Sequence, residues 1–507
     1  MESSTDPDGT LELGVRSARV ASFVAVTQIL AIVVSGITLI VVARFLGSAT
    51  YGIYTLAIGT ASFVGAFGGL GINNYINKHV PELIAKKKKK ELQETIGTSL
   101  FIVILLNVLL FLLGILFSGP IASYVFHNAD YTHLVMLSIF SIIFTSLMFL
   151  EYYMLISFGD GIGSAISYTA GTISISLLSI LLVYLGYNAL GAIIGLILGS
   201  AIGALVGFLL LRRHTKISLG IKNLGARLRH MFFFSTPLAL ANALGMLMNN
   251  FAVLLLGIFS IPSIVGAFGV ADALGSIVSS AMGFTGSTTV QMFSTASAHK
   301  KTAGSVGKLY NYSIYFGILI TAPIAVFFIA LSHAIVNSVF PTYTNTQFYI
   351  PILTVSVMLV WIGAYATLLV ISSGKTKKVL KYSVIVALAQ FVSLLVLVPL
   401  INAYGAIIGF YFVGGVVSIA LYVRYVKRTM HIKMELGKVY RILIASFILL
   451  LVLLPVNLTP FRETIQLIIG AVITLLLYPA LLIATKAVTD VEWTIIYRII
   501  KVTSSKG

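Results

Sequence analysis

The chain has 507 residues, of which 58% are apolar and only 9% are charged. A soluble domain has about 45–50% apolar and about 25% charged residues, so this composition excludes a soluble protein. The net charge is +18, and the sequence contains no cysteine, which excludes disulfides and thiolate metal sites.

Apolar stretches that could each cross a bilayer follow one another along the whole chain. About 20 apolar helical residues span a hydrocarbon core about 30 Å thick. The predicted fold is therefore an all-α polytopic membrane protein with about fourteen transmembrane helices. These helices are expected to begin near Ala21, Tyr51, Ile96, Leu134, Ile162, Ala189, Phe232, Ile264, Leu309, Phe348, Val379, Ala403, Val439 and Ile465.

The distribution of Lys and Arg supports this order of spans. With the N-terminus on the inner side, only Arg44 and Arg462 of the 33 basic residues fall in outer segments. Such a split is what the positive-inside rule requires, and it predicts that both termini are cytoplasmic. Because the basic residues are spread over many inner segments, the membrane explains the positive charge better than a nucleic-acid partner does.

The sequence also contains a duplication with a spacing of 214 residues. Residues 188–195 (NALGAIIG) recur as residues 402–409 (NAYGAIIG), and residues 51–57 align with residues 265–271. A repeat of six helices predicts two bundles in the same orientation, related by a two-fold axis along the membrane normal. The predicted organisation is a cytoplasmic tail (1–20), a six-helix bundle with its inner linker (21–231), a second six-helix bundle (232–438), a helix pair (439–485) and a cytoplasmic amphipathic tail (486–507).

Small residues recur on one face of the sixth span. Gly191, Gly195, Gly199 and Gly203 follow one another at intervals of four residues. Small residues at this spacing let two membrane helices approach closely. The pattern predicts close helix packing more than a substrate site.

Three motifs resemble a known family in sequence and in order. They are residues 43–47 (ARFLG) followed by 51–54 (YGIY), residues 78–82 (KHVPE) before a basic loop, and residues 232–238 (FFFSTPL). Over about residues 15–485 the chain resembles polysaccharide-repeat-unit (lipid-linked oligosaccharide) flippases of the multidrug/oligosaccharidyl-lipid/polysaccharide exporter superfamily. The resemblance implies alternating access that moves a polyprenyl-diphosphate-linked oligosaccharide from the inner to the outer leaflet. The acidic residue that members often carry in the seventh helix is Ala252 here.

Basic residues near the ends of the first two spans are candidates for binding the diphosphate. Guanidinium groups suit this role because they stay charged and bind two oxygens at once. The alternatives are a snorkelling side chain for Arg44 and topology determinants for the others. The candidates are Arg44, Arg16, Arg19 and Lys78.

Polar residues inside spans are candidates for the sugar and for ion coupling. Amides could hydrogen-bond sugars, although interhelical bonding is their more common use. Acids inside spans are costly and therefore point towards function, here the binding of a coupling proton or cation. The amide candidates are Gln28, Asn242, Asn249 and Asn250, and the acidic candidates are Glu151 and Asp272.

The sequence favours a flippase that is not an enzyme. It has no phosphate-cradling Gly-Lys-Ser/Thr loop and no metal-ligand spacing among its histidines, so we expect neither a cofactor nor a metal. A cation-coupled drug antiporter of the same superfamily is the alternative. A membrane-embedded glycosyltransferase or ligase is a weaker one, because the two longest predicted outer loops contain only Asp130 as an acid. We expect a monomer in the cell membrane whose partners are a lipid-linked glycan and membrane lipids but no nucleic acid; association with glycan-assembly enzymes is left open.

Overall fold

The computed structural model describes residues 7–69, 71–219, 224–298, 303–434 and 436–488. Within these ranges the chain is all-α and forms no strand, which confirms the predicted fold class. Its helices are α1 (Pro7–Gly65), α2 (Ile72–Ala85), α3 (Lys89–Val125), α4 (Thr132–Ser157), α5 (Gly161–Leu182), α6 (Asn188–His214), α7 (Leu224–Phe259), α8 (Pro262–Ala298), α9 (Ala303–Ala330), α10 (Ser332–Val339), α11 (Thr346–Ser372), α12 (Thr376–Ala406), α13 (Val413–Ser418), α14 (Arg424–Thr429), α15 (Leu436–Leu453) and α16 (Glu463–Ala484).

Eleven helical segments of the described residues are long and apolar enough to cross a membrane. Three of them contain non-helical backbone, and each of these three covers two of the predicted spans. The interruptions lie at Gly47 in α1, at Gly186 between α5 and α6, and at Asn402 in α12. The membrane-spanning all-α architecture is confirmed, whereas the total of about fourteen spans stays a prediction. The first helix already begins at Pro7, inside the segment predicted as a tail.

The duplicated octapeptide forms the same kind of turn in both copies. Asn188 and Asn402 each have a φ of 49°, a value at which asparagine is enriched among residues other than glycine. Three residues further on, a Cβ on Gly191 would lie 2.9 Å from a backbone carbon of the preceding helix, and a Cβ on Gly405 would overlap a backbone carbonyl. The sequence is repeated because one tight helix-to-helix turn is built twice.

The glycine stripe of α6 packs against α5, as predicted. A Cβ on any of the four glycines would come within 2.9 Å of a backbone atom of α5. Such close approach lets the two helices gain dispersion contacts along their whole length. These glycines therefore serve helix packing.

The contacts divide the chain into two compact units. The first contains residues 1–269 and 376–406, and the second contains residues 270–375 and 407–507. In the second unit α15 and α16 are fastened to α9, where the Tyr478 hydroxyl donates to the carbonyl of Leu319 at 3.0 Å. Pro323 lacks the N–H that would otherwise bond to this carbonyl four residues earlier. The bundle boundaries predicted at residues 231 and 438 stay predictions, and the predicted C-terminal amphipathic segment lies outside the described residues.

Two glycines that are equivalent in the repeat contact each other within the first unit. A Cβ on Gly52 would lie 3.0 Å from the backbone nitrogen of Gly266, and a Cβ on Gly266 would lie 3.1 Å from that of Gly52. The same Cβ atoms would overlap the carbonyl oxygens of Pro262 and Ser48, respectively. Ser48 and Pro262 are again 214 residues apart, so the contact is reciprocal, as a local two-fold axis requires.

We predict that Gly52→Ala and Gly266→Ala each destabilise the protein. The added methyl group must push α1 and α8 apart, and overpacking of this kind costs about 1–3 kcal/mol. Thermal unfolding of the purified protein in detergent measures the effect. Gly36→Ala is the matched control, because a Cβ on this α1 glycine has no neighbour within 4 Å. Equal melting temperatures for all three variants and the wild type would contradict the close contact between α1 and α8.

The cysteine-free sequence permits a direct test of the predicted topology. Single cysteines at Lys90, in the first turn of α3, and at Asp130, between α3 and α4, both replace exposed residues. We expect an impermeant maleimide to label Asp130→Cys on intact cells and Lys90→Cys only after permeabilisation. Labelling of Lys90→Cys on intact cells would reverse the orientation.

Candidate functional site

The first unit encloses a cavity of about 560 Å³, a volume in the range of small-molecule sites. Residues of α1, α2, α3, α4, α6 and α7 line it, and none of the described lining residues is charged. The lining is mainly apolar and carries a limited set of uncharged polar side chains, the combination that is usual in small-molecule sites. Its polar side chains are Ser62, Asn73, Asn74, Ser141, Thr145, Ser146, Tyr153 and Asn242.

A break in the helical backbone forms one wall of this cavity. Helix α1 ends at Gly65 and α2 begins at Ile72, and Gly65, Gly69 and Gly71 line the cavity. Gly71 has a φ of 76°, which glycine adopts without steric cost. Non-helical backbone at membrane depth is tolerated only where protein buries it or where it lines a wet cavity. Broken helices of this kind form substrate sites in transporters.

Asn107 on α3 holds the break in place. This residue is 1% exposed, and its amide nitrogen donates to the carbonyls of Gly68 at 3.1 Å and Val103 at 2.7 Å. Its amide oxygen accepts a hydrogen bond from the Ser146 hydroxyl at 3.1 Å. Asn107 thereby joins the broken segment to α3 and α4. Sequence reasoning missed it, although a lone asparagine in an apolar span is the kind of signal that marks such a role.

The polar side chains around the cavity fall into two groups. Ser141 and Thr145 donate to backbone carbonyls of their own helix at 2.6 and 3.0 Å. The amides of Asn73, Asn74 and Asn242 make no hydrogen bond to any group in the described part of the chain, and all three are partly exposed. A buried amide needs a hydrogen-bond partner, and these three amides are free to bind water or a ligand in the cavity as far as the described residues are concerned.

The structure brings one predicted amide into the cavity and leaves three outside its lining. Asn242 lines the cavity together with Asn73 and Asn74, which sequence reasoning missed. Asn250 donates to the carbonyl of Met246 at 2.7 Å, a bond within its own helix. Asn249 is half-buried on α7, and Gln28 is exposed on α1 within hydrogen-bonding reach of Tyr152. Paired asparagines directly after a glycine-rich segment were the available signal for Asn73 and Asn74.

Two of the predicted diphosphate-binding residues, Arg44 and Lys78, are not among the residues that line the cavity. Arg44 is exposed on α1, three residues before the interruption at Gly47, and Lys78 is exposed on α2. Arg16 and Arg19 lie on the helical backbone of α1, and their side chains are outside the described part of the chain. A role in binding the diphosphate stays a prediction for all four.

Glu151 is buried on α4 with 2% of its surface exposed, and its Oε2 has no hydrogen-bond partner among the described residues. A Cβ on Gly207 would lie 2.6 Å from this oxygen and 2.7 Å from the Ser167 hydroxyl, so the missing side chain makes room for both groups. The Ser167 hydroxyl donates to the carbonyl of Gly203 at 3.2 Å. Glu151 also borders an apolar groove of about 430 Å³ formed by α3, α4 and α6 with the segment that follows α6.

Asp272 on α8 accepts a hydrogen bond from the hydroxyl of Tyr411, and both residues belong to the second unit. Tyr411 belongs to a π-helical turn at residues 407–412, directly after the second copy of the tight turn. Such turns interrupt the regular helix and are frequent at functional sites. The two acids therefore have different surroundings, and an ion-coupling role stays a prediction for both.

We predict that Asn107→Ala loosens the broken helix. The substitution leaves the Gly68 carbonyl and the Ser146 hydroxyl without their partner, and losses of this kind cost about 1–3 kcal/mol. Thermal unfolding, together with proteolysis at residues 66–71, measures the effect. Asn345→Ala is the control, because this asparagine is exposed between α10 and α11. If both variants melt alike and resist protease alike, Asn107 does not hold the break.

Comparison with known proteins identifies the relatives of this chain. Residues 17–297 match the family model described as polysaccharide biosynthesis protein. No curated protein sequence matches the chain significantly.

Several solved structures share the fold. The lipid II flippase MurJ in its inward closed conformation is similar with a TM-score of 0.70 and 15% identity, over 92% of this chain and 99% of that one. An inward-facing multidrug resistance MATE family transporter of the MOP superfamily is similar with a TM-score of 0.61 and 15% identity, over 78% and 93%. The Vibrio cholerae MATE transporter VcmN is similar with a TM-score of 0.60 and 14% identity, over 83% and 100%. At these identities the likeness shows the fold alone.

Proposed function

The chain belongs to the polysaccharide biosynthesis protein family and has the fold of MurJ and the MATE transporters, and on this premise we propose that it flips a polyprenyl-diphosphate-linked oligosaccharide from the inner to the outer leaflet of the cell membrane. The observation that carries the proposal is the cavity in the first unit, whose described lining holds amide and hydroxyl groups and no charged residue. The family membership supports a glycan as the cargo. The protein acts as a transporter and not as an enzyme.

The physical task explains why such a cavity is needed. A sugar that enters hydrocarbon loses its hydrogen bonds to water, and each group left without a partner costs several kcal/mol. The amides and hydroxyls of the cavity replace water as partners, while the polyprenyl tail stays in the lipid. The barrier to flipping falls because the headgroup remains hydrogen-bonded along its path.

Basic residues near the membrane surfaces handle the diphosphate in this proposal. We propose that Arg16 and Arg19 meet it at the inner surface and that Arg44 meets it at the outer surface. Lys78 adds a further positive charge on the inner side. Guanidinium groups bind phosphate oxygens in pairs, which suits a group that must be taken up and released.

Coupling to an ion would give the transport its direction. Glu151 and Asp272 are the acids that we propose for this role, because each lies within a spanning helix beside a hydroxyl group. Binding a proton or cation changes the charge of such a group, and this change shifts the balance between inward- and outward-open states. We propose that the two six-helix bundles predicted from the repeat rock against each other.

A cation-coupled drug antiporter is the second candidate. The likeness to a multidrug resistance MATE family transporter favours it. The likeness to MurJ covers 92% of this chain, however, whereas that to the MATE transporter covers 78%. The fuller match concerns the fold, and the family membership is what supports a glycan cargo.

We predict that the purified protein in liposomes moves a lipid-linked oligosaccharide across the bilayer and that Arg44→Ala slows this movement about tenfold or more, because the diphosphate loses a charged partner. The measurement is the rate at which the glycan becomes accessible to an impermeant glycosidase. Arg462→Ala is the matched control, because Arg462 is the other basic residue in an outer segment and is also exposed.

The outcomes separate the alternatives. Flipping at the rate of protein-free liposomes overturns the proposed function, and efflux of cationic drugs by the same liposomes would support the antiporter. Flipping by Arg44→Ala at the wild-type rate removes only the role of Arg44.

A further inference from the structure

Three amides from two helices line the cavity and make no hydrogen bond to the described part of the chain. Asn73 and Asn74 lie in the first turn of α2, directly after the break, and Asn242 lies on α7. Each amide has one oxygen that accepts and one NH₂ group that donates twice. A sugar hydroxyl also both donates and accepts, so it matches the hydrogen-bonding capacity of each of these amides.

The rest of the lining leaves room for a ring and offers it apolar contact. Small residues such as Gly65, Gly69 and Ala243 line the cavity around the three asparagines. Phe149 and Tyr153 add aromatic rings. Ligand sites combine apolar and aromatic walls with a few polar groups in this way, and a sugar ring has apolar C–H faces between its hydroxyls.

Electrostatics distinguishes neutral from acidic sugars in this cavity. None of the described lining residues is an arginine, a lysine or a histidine. A carboxylate that leaves water for such a site gains hydrogen bonds to amides but finds no opposite charge among the described lining residues. Burial of an unpaired charge is strongly unfavourable. An uncharged sugar carries no such penalty.

From these observations we infer that Asn73, Asn74 and Asn242 form a subsite for an uncharged sugar residue and that the protein selects neutral over acidic lipid-linked glycans. The inference rests on the proposed flipping function. It assigns the sugar and the diphosphate to different parts of the molecule, since Arg44 and Lys78 lie outside the cavity lining.

The test uses two probes that differ in one group only. Both carry the same polyprenyl diphosphate and the same disaccharide, but the terminal sugar is a neutral hexose in one probe and the corresponding uronic acid in the other. The full-length protein in liposomes should flip the neutral probe at least about tenfold faster than the acidic probe.

Variants at the subsite should change this ratio in opposite directions. Asn242→Asp is nearly isosteric and should slow the acidic probe further, because two carboxylates then meet in the cavity. Asn242→Lys should raise the rate of the acidic probe by supplying a counter-charge. Asn74→Asp makes the same change on α2 and serves if the Asn242 variants fold poorly. Thermal unfolding measures whether each variant is folded. Asn345→Asp adds the same charge on an exposed loop and should leave the ratio unchanged.

The possible results separate the inference from the function on which it rests. Equal rates for both probes in the wild type overturn the inference and leave flipping intact. A ratio that Asn242→Asp, Asn242→Lys and Asn74→Asp all leave unchanged in folded protein also overturns it. Movement of neither probe overturns the proposed function, and the inference falls with it.

Discussion

A polar backbone group cannot remain without a hydrogen-bond partner inside a bilayer, and this constraint governs the whole structure. It requires helices wherever the chain faces lipid, because in a helix each segment satisfies its own N–H and C=O groups. The break between α1 and α2 is permitted because it faces a cavity and because Asn107 binds the carbonyl of Gly68. The candidate site therefore lies where the protein departs from regular helix.

The same constraint explains how proline is accommodated. Pro323 leaves the carbonyl of Leu319 in α9 without its usual partner. The hydroxyl of Tyr478 on α16 binds this carbonyl. An interrupted hydrogen bond in α9 thus fastens α16 to α9 within the second unit, and a local defect becomes a tertiary contact.

Glycine determines how closely the spanning helices approach one another. Without a hydrophobic driving force between helices in lipid, close packing supplies most of the attraction. The stripe on α6 brings α5 into backbone contact, and the reciprocal contact of Gly52 with Gly266 does the same for α1 and α8. Because these two glycines are repeat equivalents, the gene duplication visible in the sequence is also visible as a local symmetry of contacts.

The candidate chemistry is divided among separate places in the molecule. Neutral amides and hydroxyls line the cavity, whereas Arg44 and Lys78 are exposed outside its lining. Glu151 is enclosed between α4, α5 and α6, and Asp272 is bound by Tyr411 in the other unit. A lipid-linked glycan has a matching division into sugar, diphosphate and tail. This correspondence unites the cavity, the family and the fold in one proposal.

Composition and the charge pattern were enough to predict a polytopic all-α membrane protein, because the bilayer imposes the same apolar length and the same bias of basic residues on every span. The repeat was readable because two tight turns need the same residues. The site was not readable in the same way: every polar residue in a span has similar weight in a sequence, so Asn242 was found while Asn73, Asn74 and Asn107 were missed. Only the tertiary structure decides which amides converge and which bind their own helix, since convergence depends on distances between residues far apart in the chain.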